Sequence, residues 1–126
     1  MFEIEVGHRF PATHAVVVDG EMEDLHSHDW QVRVALAGSQ LDSEHLLVDF
    51  HAVERSLEAS VRPFSGGTTN GTPPFDRMLP TAERVAEFVG LQVCRRLPAG
   101  TVLRWVSAEE APGCIARWYP PDSKVE

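Results

Sequence analysis

The sequence predicts an α+β domain in which a four-stranded antiparallel sheet carries two helices on one face. Three observations predict it. Apolar and polar residues alternate with a period of two in two stretches before residue 40, and two apolar stripes at helical spacing occupy the middle of the chain. Two further short apolar stretches, residues 101–107 and 114–119, then close it. The order strand, strand, helix, helix, strand, strand separates the sheet from the helices, and such segregation is met by packing the helices on one side of an antiparallel sheet.

Each element has its own warrant. In residues 2–10, Phe2, Ile4, Val6, His8 and Phe10 alternate with Glu3, Glu5, Gly7 and Arg9, the signature of a half-buried strand. Residues 15–25 read as a loop with a turn at Asp19-Gly20. Residues 27–38 form the second strand: Trp30, Val32, Val34 and Leu36 alternate with Gln31 and Arg33, and Gly38 ends it. Asp49 is placed to cap a helix whose stripe is Phe50, Val53, Leu57 and Val61, and Pro63 stops that helix. Residues 63–80 are rich in turn formers and read as one long loop. Thr81 caps the second helix, with Glu83 favourable at its positive end and Val85, Val89, Val93 and Leu97 along one face. Pro98-Ala99-Gly100 ends it, and the last two strands turn around Pro112-Gly113. The tail from Pro120 is expected to be loose.

At 126 residues the chain reads as a single domain, 1–126, with room for one core. Its 43% hydrophobic and 24% charged residues are ordinary for a globular protein. No apolar run approaches a membrane span, and Met1-Phe2-Glu3-Ile4-Glu5 does not read as a signal peptide. Cys94 and Cys114 are too few for a disulfide framework, so free thiols and a cytoplasmic location are expected. The net charge of −8 (11 basic residues against 19 acidic) opposes binding to nucleic acid or an anionic membrane.

The chemistry concentrates in three histidines. His26 and His28 share parity, so a strand through them points both imidazoles to one face. A His-x-His pair alone is more often a core or surface feature. His14, closing Phe10-Pro11-Ala12-Thr13-His14, supplies a third nitrogen, and three such ligands suit a zinc ion with a fourth position open to water or substrate. An open site of that kind polarises oxygen and acidifies bound water. His8, His45 and His51 are expected to be structural or exposed.

Five motifs taken together resemble a known family. Phe10-x-Ala12-x-His14, His26-x-His28, Val48-Asp49-Phe50, Pro80-Thr81-x-Glu83 and Glu110 four residues before Cys114 are similar, in order and rough spacing, to the 6-pyruvoyltetrahydropterin and 6-carboxytetrahydropterin synthases. The resemblance covers residue 2 to about residue 119. It implies the tunnelling fold (T-fold), in which subunits join their sheets into a barrel and stack as a homo-oligomer, usually a hexamer, with active sites between subunits. It implies Zn2+ held by His14, His26 and His28, and a pterin anchored by Glu110. A carboxylate is suited to that anchor because it accepts two charge-assisted hydrogen bonds from the flat N–H edge of the ring. Asp49, Thr81 and Glu83 retain their readings as caps and a helix-end charge.

The departures from the family pattern bear on catalysis. The family's catalytic cysteine, four residues before the His pair, is matched by Met22, whose thioether gives up no proton. The family's Leu-Asp-His triplet aligns with Phe64-Ser65-Gly66, which has no proton relay. Glu23 is the candidate replacement base, since some variant members use a glutamate there and cleave the substrate side chain to a hydroxymethyl pterin. Against this, Glu21, Glu23 and Asp24 together also read as a solvated acidic loop. Cys114 is a weaker candidate as a displaced thiol, and Cys94 receives no role. The expected function is a zinc-dependent pterin lyase acting on dihydroneopterin triphosphate or a related pterin with an altered base. The alternative is a zinc-containing pterin or purine binder without catalysis.

Overall fold

The structure, a computed structural model, describes residues 1–121. The first strand, β1 (Phe2–His14), runs four residues further than periodicity suggested, straight through Pro11. The reason lies at the edge of the sheet. Pro11 stands on an edge strand with its backbone groups facing outward, where its carbonyl accepts from Gly66 N at 2.7 Å, so the missing N–H removes no ladder bond. Residues 15–25, expected as plain loop, contain a small hairpin of β2 (Val17–Val18) and β3 (Glu21–Met22). Its turn is the expected Asp19-Gly20, both at positive φ (52° and 79°), the conformation that two-residue hairpins require. The next strand, β4 (His26–Gly38), begins at His26 rather than residue 27 and pairs antiparallel with β1 from His14↔His26 to Phe2↔Gly38.

Helix α1 (Phe50–Val61) starts as expected, with Asp49 accepting from His51 N. Helix α2 (Ala82–Cys94) is capped by Thr81, whose side chain accepts from Arg84 N. Leu97, expected as the last residue of the α2 stripe, lies beyond the helix and still packs on the core. The closing hairpin is β5 (Val102–Ala111) and β6 (Cys114–Trp118), turning at Pro112-Gly113 with Gly113 at φ 81°. The order across the sheet is β1-β4-β5-β6, antiparallel throughout, with both helices against it.

The core lies between sheet and helices. Phe10, Trp30, Val32, Val34 and Val106 meet Val53, Leu57, Val85 and Val89 there. The 63–80 segment belongs to it rather than hanging free. Phe64 and Phe75 are buried and pack, tilted or edge-on, against Phe10, Phe88 and each other, so a stretch that reads as loop by composition is anchored by two aromatics. α2 approaches β6 closely at Gly90, where a Cβ would run into the Trp118 ring. Among the described residues no helix is long and apolar enough to cross a membrane. The expectation of a loose tail from Pro120 falls, beyond Pro121, outside the described residues.

Two irregularities in β5 matter for the site. Its register against β4 slips by one residue near Arg104, so the inward residue changes from Leu103 to Val106 and Ala108. Against β6 it slips again between Glu109 and Ala111, leaving Glu110 as the extra residue. The first slip sets the even-numbered residues of β5 on the helix side, the side that β1 and β4 give to His14, His26 and His28.

Candidate metal centre

The ladder explains how two distant pieces of sequence place three imidazoles together. His14 lies directly opposite His26, and His28 lies opposite Ala12, two residues back on β1. All three have the inward parity. Their ring centroids are 4.7 Å (His14–His26), 5.3 Å (His14–His28) and 4.6 Å (His26–His28) apart. Trp30 forms the floor, its ring edge-on to His14 at 4.9 Å.

The ring orientations follow from hydrogen bonds behind them. His14 is wholly buried, and its Nδ1 lies 2.9 Å from the carbonyl oxygen of Pro80, just before the α2 cap. His26 Nδ1 lies 2.9 Å from the carbonyl oxygen of Asp24. A carbonyl only accepts, so each Nδ1 carries a hydrogen, and in the neutral ring each Nε2 then presents a lone pair, the tautomer a metal ligand needs. At His28, burial pushes the imidazole below its ordinary range. The neighbouring His26 and His14 push the same way, and the Glu110 and Glu23 carboxylates oppose them. The net effect keeps His28 neutral and able to ligate.

A second device holds the end of β1. Asn70 accepts from Ala15 N at 2.9 Å and donates to Ala15 O at 2.8 Å, clamping the residue after His14 from both sides. The 66–69 backbone adds to it: Thr13 N donates to Gly67 O, and Thr69 N donates to Thr13 O. The sequence pattern gives Asn70 no role, and Pro80 enters it only in the Pro80-Thr81-x-Glu83 motif. The clue available was position: an amide inside a Gly/Thr-rich loop is a common way to satisfy a strand end that has run out of partners.

Glu110 joins the histidines rather than standing apart at a ligand-binding edge. Its Oε1 lies 2.7 Å from His14 Nε2, and its side chain is 30% exposed. Although the contact is short, His14 Nε2 has no hydrogen bond of good geometry, and it is a buried nitrogen without such a partner among the described residues. The two statements are compatible, because with the hydrogen on Nδ1 the nitrogen and the carboxylate face each other with lone pairs. A cation between them removes that conflict. The four ligand atoms of His14, His26, His28 and Glu110 all lie within 4.8 Å of one another, and ligands of a tetrahedral zinc stand about 3.3 Å apart given bonds of about 2.0–2.1 Å. Three imidazole nitrogens and one carboxylate oxygen suit zinc and its divalent neighbours, so the residues present fit a metal.

The other predicted residues sort clearly. Glu23 leans toward the cluster from the foot of the β2–β3 hairpin. Its Oε1 lies 3.9 Å from His26 Nε2 and accepts from Val16 N at 3.2 Å. Met22 is exposed on β3. Ser65 and Gly66 run beside the edge of β1 at Pro11, and Gly66 has φ 76°, a conformation that disfavours a side chain there. Cys114 and Cys94 are exposed and outside the four-residue group. His8, His45 and His51 are also outside it.

A small antiparallel sheet backed by two helices, with three histidines and a glutamate gathered at one end, defines a T-fold protein with a candidate metal centre. Residues 2–121 match the model of the 6-pyruvoyl tetrahydropterin synthase family, and the chain belongs to that family. Among solved structures, it is similar to 6-pyruvoyl tetrahydropterin synthase from Caenorhabditis elegans (17% identity, TM-score 0.77, 94% of this chain and 95% of that one). It is also similar to the Plasmodium vivax synthase in a form described as a catalytic-residue mutant with a glutamate replaced by alanine (12% identity, TM-score 0.74, 94% and 97% covered). An uncharacterised protein from Wolinella succinogenes has the same fold (15% identity, TM-score 0.69, 94% and 99% covered). No curated protein matches the chain.

Proposed function

We propose that this protein is a zinc-dependent pterin lyase that acts on dihydroneopterin triphosphate or a related reduced pterin with a glutamate in place of the usual thiol base. The observation that carries the reading is the pair of backbone-held imidazoles, His14 and His26, turned with His28 so that their free nitrogens converge. Bound there, zinc would polarise the substrate's side-chain oxygens and acidify the adjoining C–H. The chain's own residues supply the rest. Glu110 accepts hydrogen bonds from the pterin's N–H edge. Glu23, which accepts from Val16 N, is the base in this reading. Support for a glutamate base comes from the Plasmodium vivax relative, whose replaced catalytic residue is a glutamate. With Met22 and Ser65-Gly66 where thiol and relay would stand, the reaction favoured is side-chain cleavage to a hydroxymethyl pterin.

The sites are proposed to lie between subunits of a hexamer in the cytoplasm, because a four-stranded sheet ending in β1 and β6 offers two edges for pairing with further copies. One experiment separates this from the alternative, a zinc-containing pterin or purine binder. Zinc-loaded protein is incubated with dihydroneopterin triphosphate, and products are resolved by chromatography. Wild type forms a hydroxymethyl pterin and Glu23→Gln does not. Binding without turnover in wild type establishes the binder, and metal-free protein that refuses zinc removes both readings.

A further inference from the structure

The short contact between Glu110 and His14 has more in it than a ligand anchor. Glu110 is the extra residue of a β-bulge, a device that re-aims one side chain at the expense of a regular ladder. That side chain is aimed at the cluster: its carboxylate oxygen sits 2.7 Å from the buried, unpartnered Nε2 of His14. The adjacent Glu109, still in register with Ile115, accepts from Gly113 N on the hairpin instead. If Glu110 served only to hold a pterin some way off, nothing would require its oxygen to lie among the metal ligands. A carboxylate that approaches this nitrogen is already inside the space of a shared cation.

We infer that Glu110 is the fourth ligand of the metal in the ligand-free protein, and that an incoming pterin draws this carboxylate away and so opens the metal to the substrate. The inference rests on the metal and pterin reading above and deepens it. The resting site is closed, with three nitrogens and one oxygen, as in structural zinc centres, and the open position of a catalytic centre is created by the ligand. The two roles of Glu110 exclude each other in time. The side chain is suited to exchange because it is 30% exposed and is held by a bulge rather than by a packed core, whereas His14 is fixed by Pro80. The arrangement also keeps the Lewis acid covered until the pterin ring arrives.

Cobalt(II) reports this directly, since its visible absorption depends on coordination number and donor set. Co2+-loaded wild type, Glu110→Gln and Glu109→Gln are compared for spectrum and for Co2+ affinity by chelator competition, and 7,8-dihydroneopterin is then added. Glu110→Gln is isosteric, and it should alter the spectrum and weaken Co2+ binding by more than the roughly 10-fold lower bound typical of groups behind the ligands. Glu109→Gln should do neither. Dihydroneopterin should move the wild-type spectrum. A wild-type spectrum and affinity in Glu110→Gln overturns the ligand assignment while the three-histidine reading stands. An equal loss in Glu109→Gln also overturns it, because the effect is then one of charge alone. Dihydroneopterin that binds, by fluorescence, without moving the wild-type spectrum overturns the exchange. Failure of dihydroneopterin to bind overturns the exchange and the pterin reading together, and absence of Co2+ uptake overturns the metal reading itself.

Discussion

Replacing Asn70 tests whether the 63–80 segment is structural support for the metal centre or merely a connection. The amide makes two hydrogen bonds to one residue, Ala15, which is 2% exposed and directly follows His14. Each such bond contributes about 0.5–1.5 kcal/mol net, and a buried group left without a partner costs about 1–3 kcal/mol. Asn70 itself is half-buried, so water can refill part of the gap after truncation. Asn70→Ala should therefore destabilise the protein by about 2–3 kcal/mol. For a chain of this length that lowers the melting temperature by roughly 10 °C, interpolating between smaller and larger domains. Asn70→Asp retains the acceptor for Ala15 N but sets a carboxylate against Ala15 O, so it should lose at least as much. Zinc affinity, measured by chelator competition well below the melting point, should fall about 10–100-fold in both variants, as for groups that orient metal ligands. A melting temperature within about 2 °C of wild type, with unchanged zinc affinity, would refute the clamp.

Three further outcomes are expected. Gly90→Ala forces a methyl into the Trp118 ring and should cost about 1–3 kcal/mol in a urea titration, whereas an ordinary helical Gly→Ala change stabilises by up to about 1 kcal/mol. The sign of the change decides. Because burial holds the His28 imidazole below its usual value near 6.5, the unfolded chain binds more protons than the folded one just below that pH. Metal-free protein should thus lose stability as pH falls from about 6.5 through the lowered folded value, and His28→Gln should flatten that slope in urea titrations at pH 7.5 and 5.5. Light scattering should give a mass several times the 14.0 kDa chain, and a stable monomer at micromolar concentration would exclude the barrel.

How much of this was legible in the sequence depended on which interactions were local. The caps at Asp49 and Thr81, the turn at Asp19-Gly20 and the parity of His26 and His28 are encoded within a few residues, and each stands where the pattern placed it. Strand ends were harder. The alternation ends β1 at Phe10, yet the strand passes on through Pro11, since the donor a proline lacks would have pointed out of the sheet. Only the ladder decides which way a residue's backbone faces. The 63–80 segment failed for a similar reason: its composition is that of a loop, while its work is done by Phe64, Phe75 and Asn70, whose partners lie far away in sequence.

The site shows the same division at finer scale. Three histidines can be matched by motif and parity, but whether Glu109 or Glu110 faces them turns on register slips in β5 that no short-range alternation reveals. Without the slip near Arg104, odd residues would remain inward and Glu109 would meet the histidines. With it, Glu110 does, and the bulge at its own position brings the carboxylate to His14 Nε2. Family resemblance implies Glu110 as a pterin anchor, and the structure sets its carboxylate beside His14, a distance that raises the question of what it binds first. A bulge is conformationally costly in a ten-residue strand, and here the two slips aim one carboxylate at one nitrogen. That economy ties the geometry of β5 to the chemistry of the centre: Arg104 is the extra residue between Leu103 and Trp105, so deleting it should join the two in one regular ladder, keep Glu110 on the histidine side, and leave metal affinity by chelator competition close to wild type, whereas a loss of affinity would refute this account of the register.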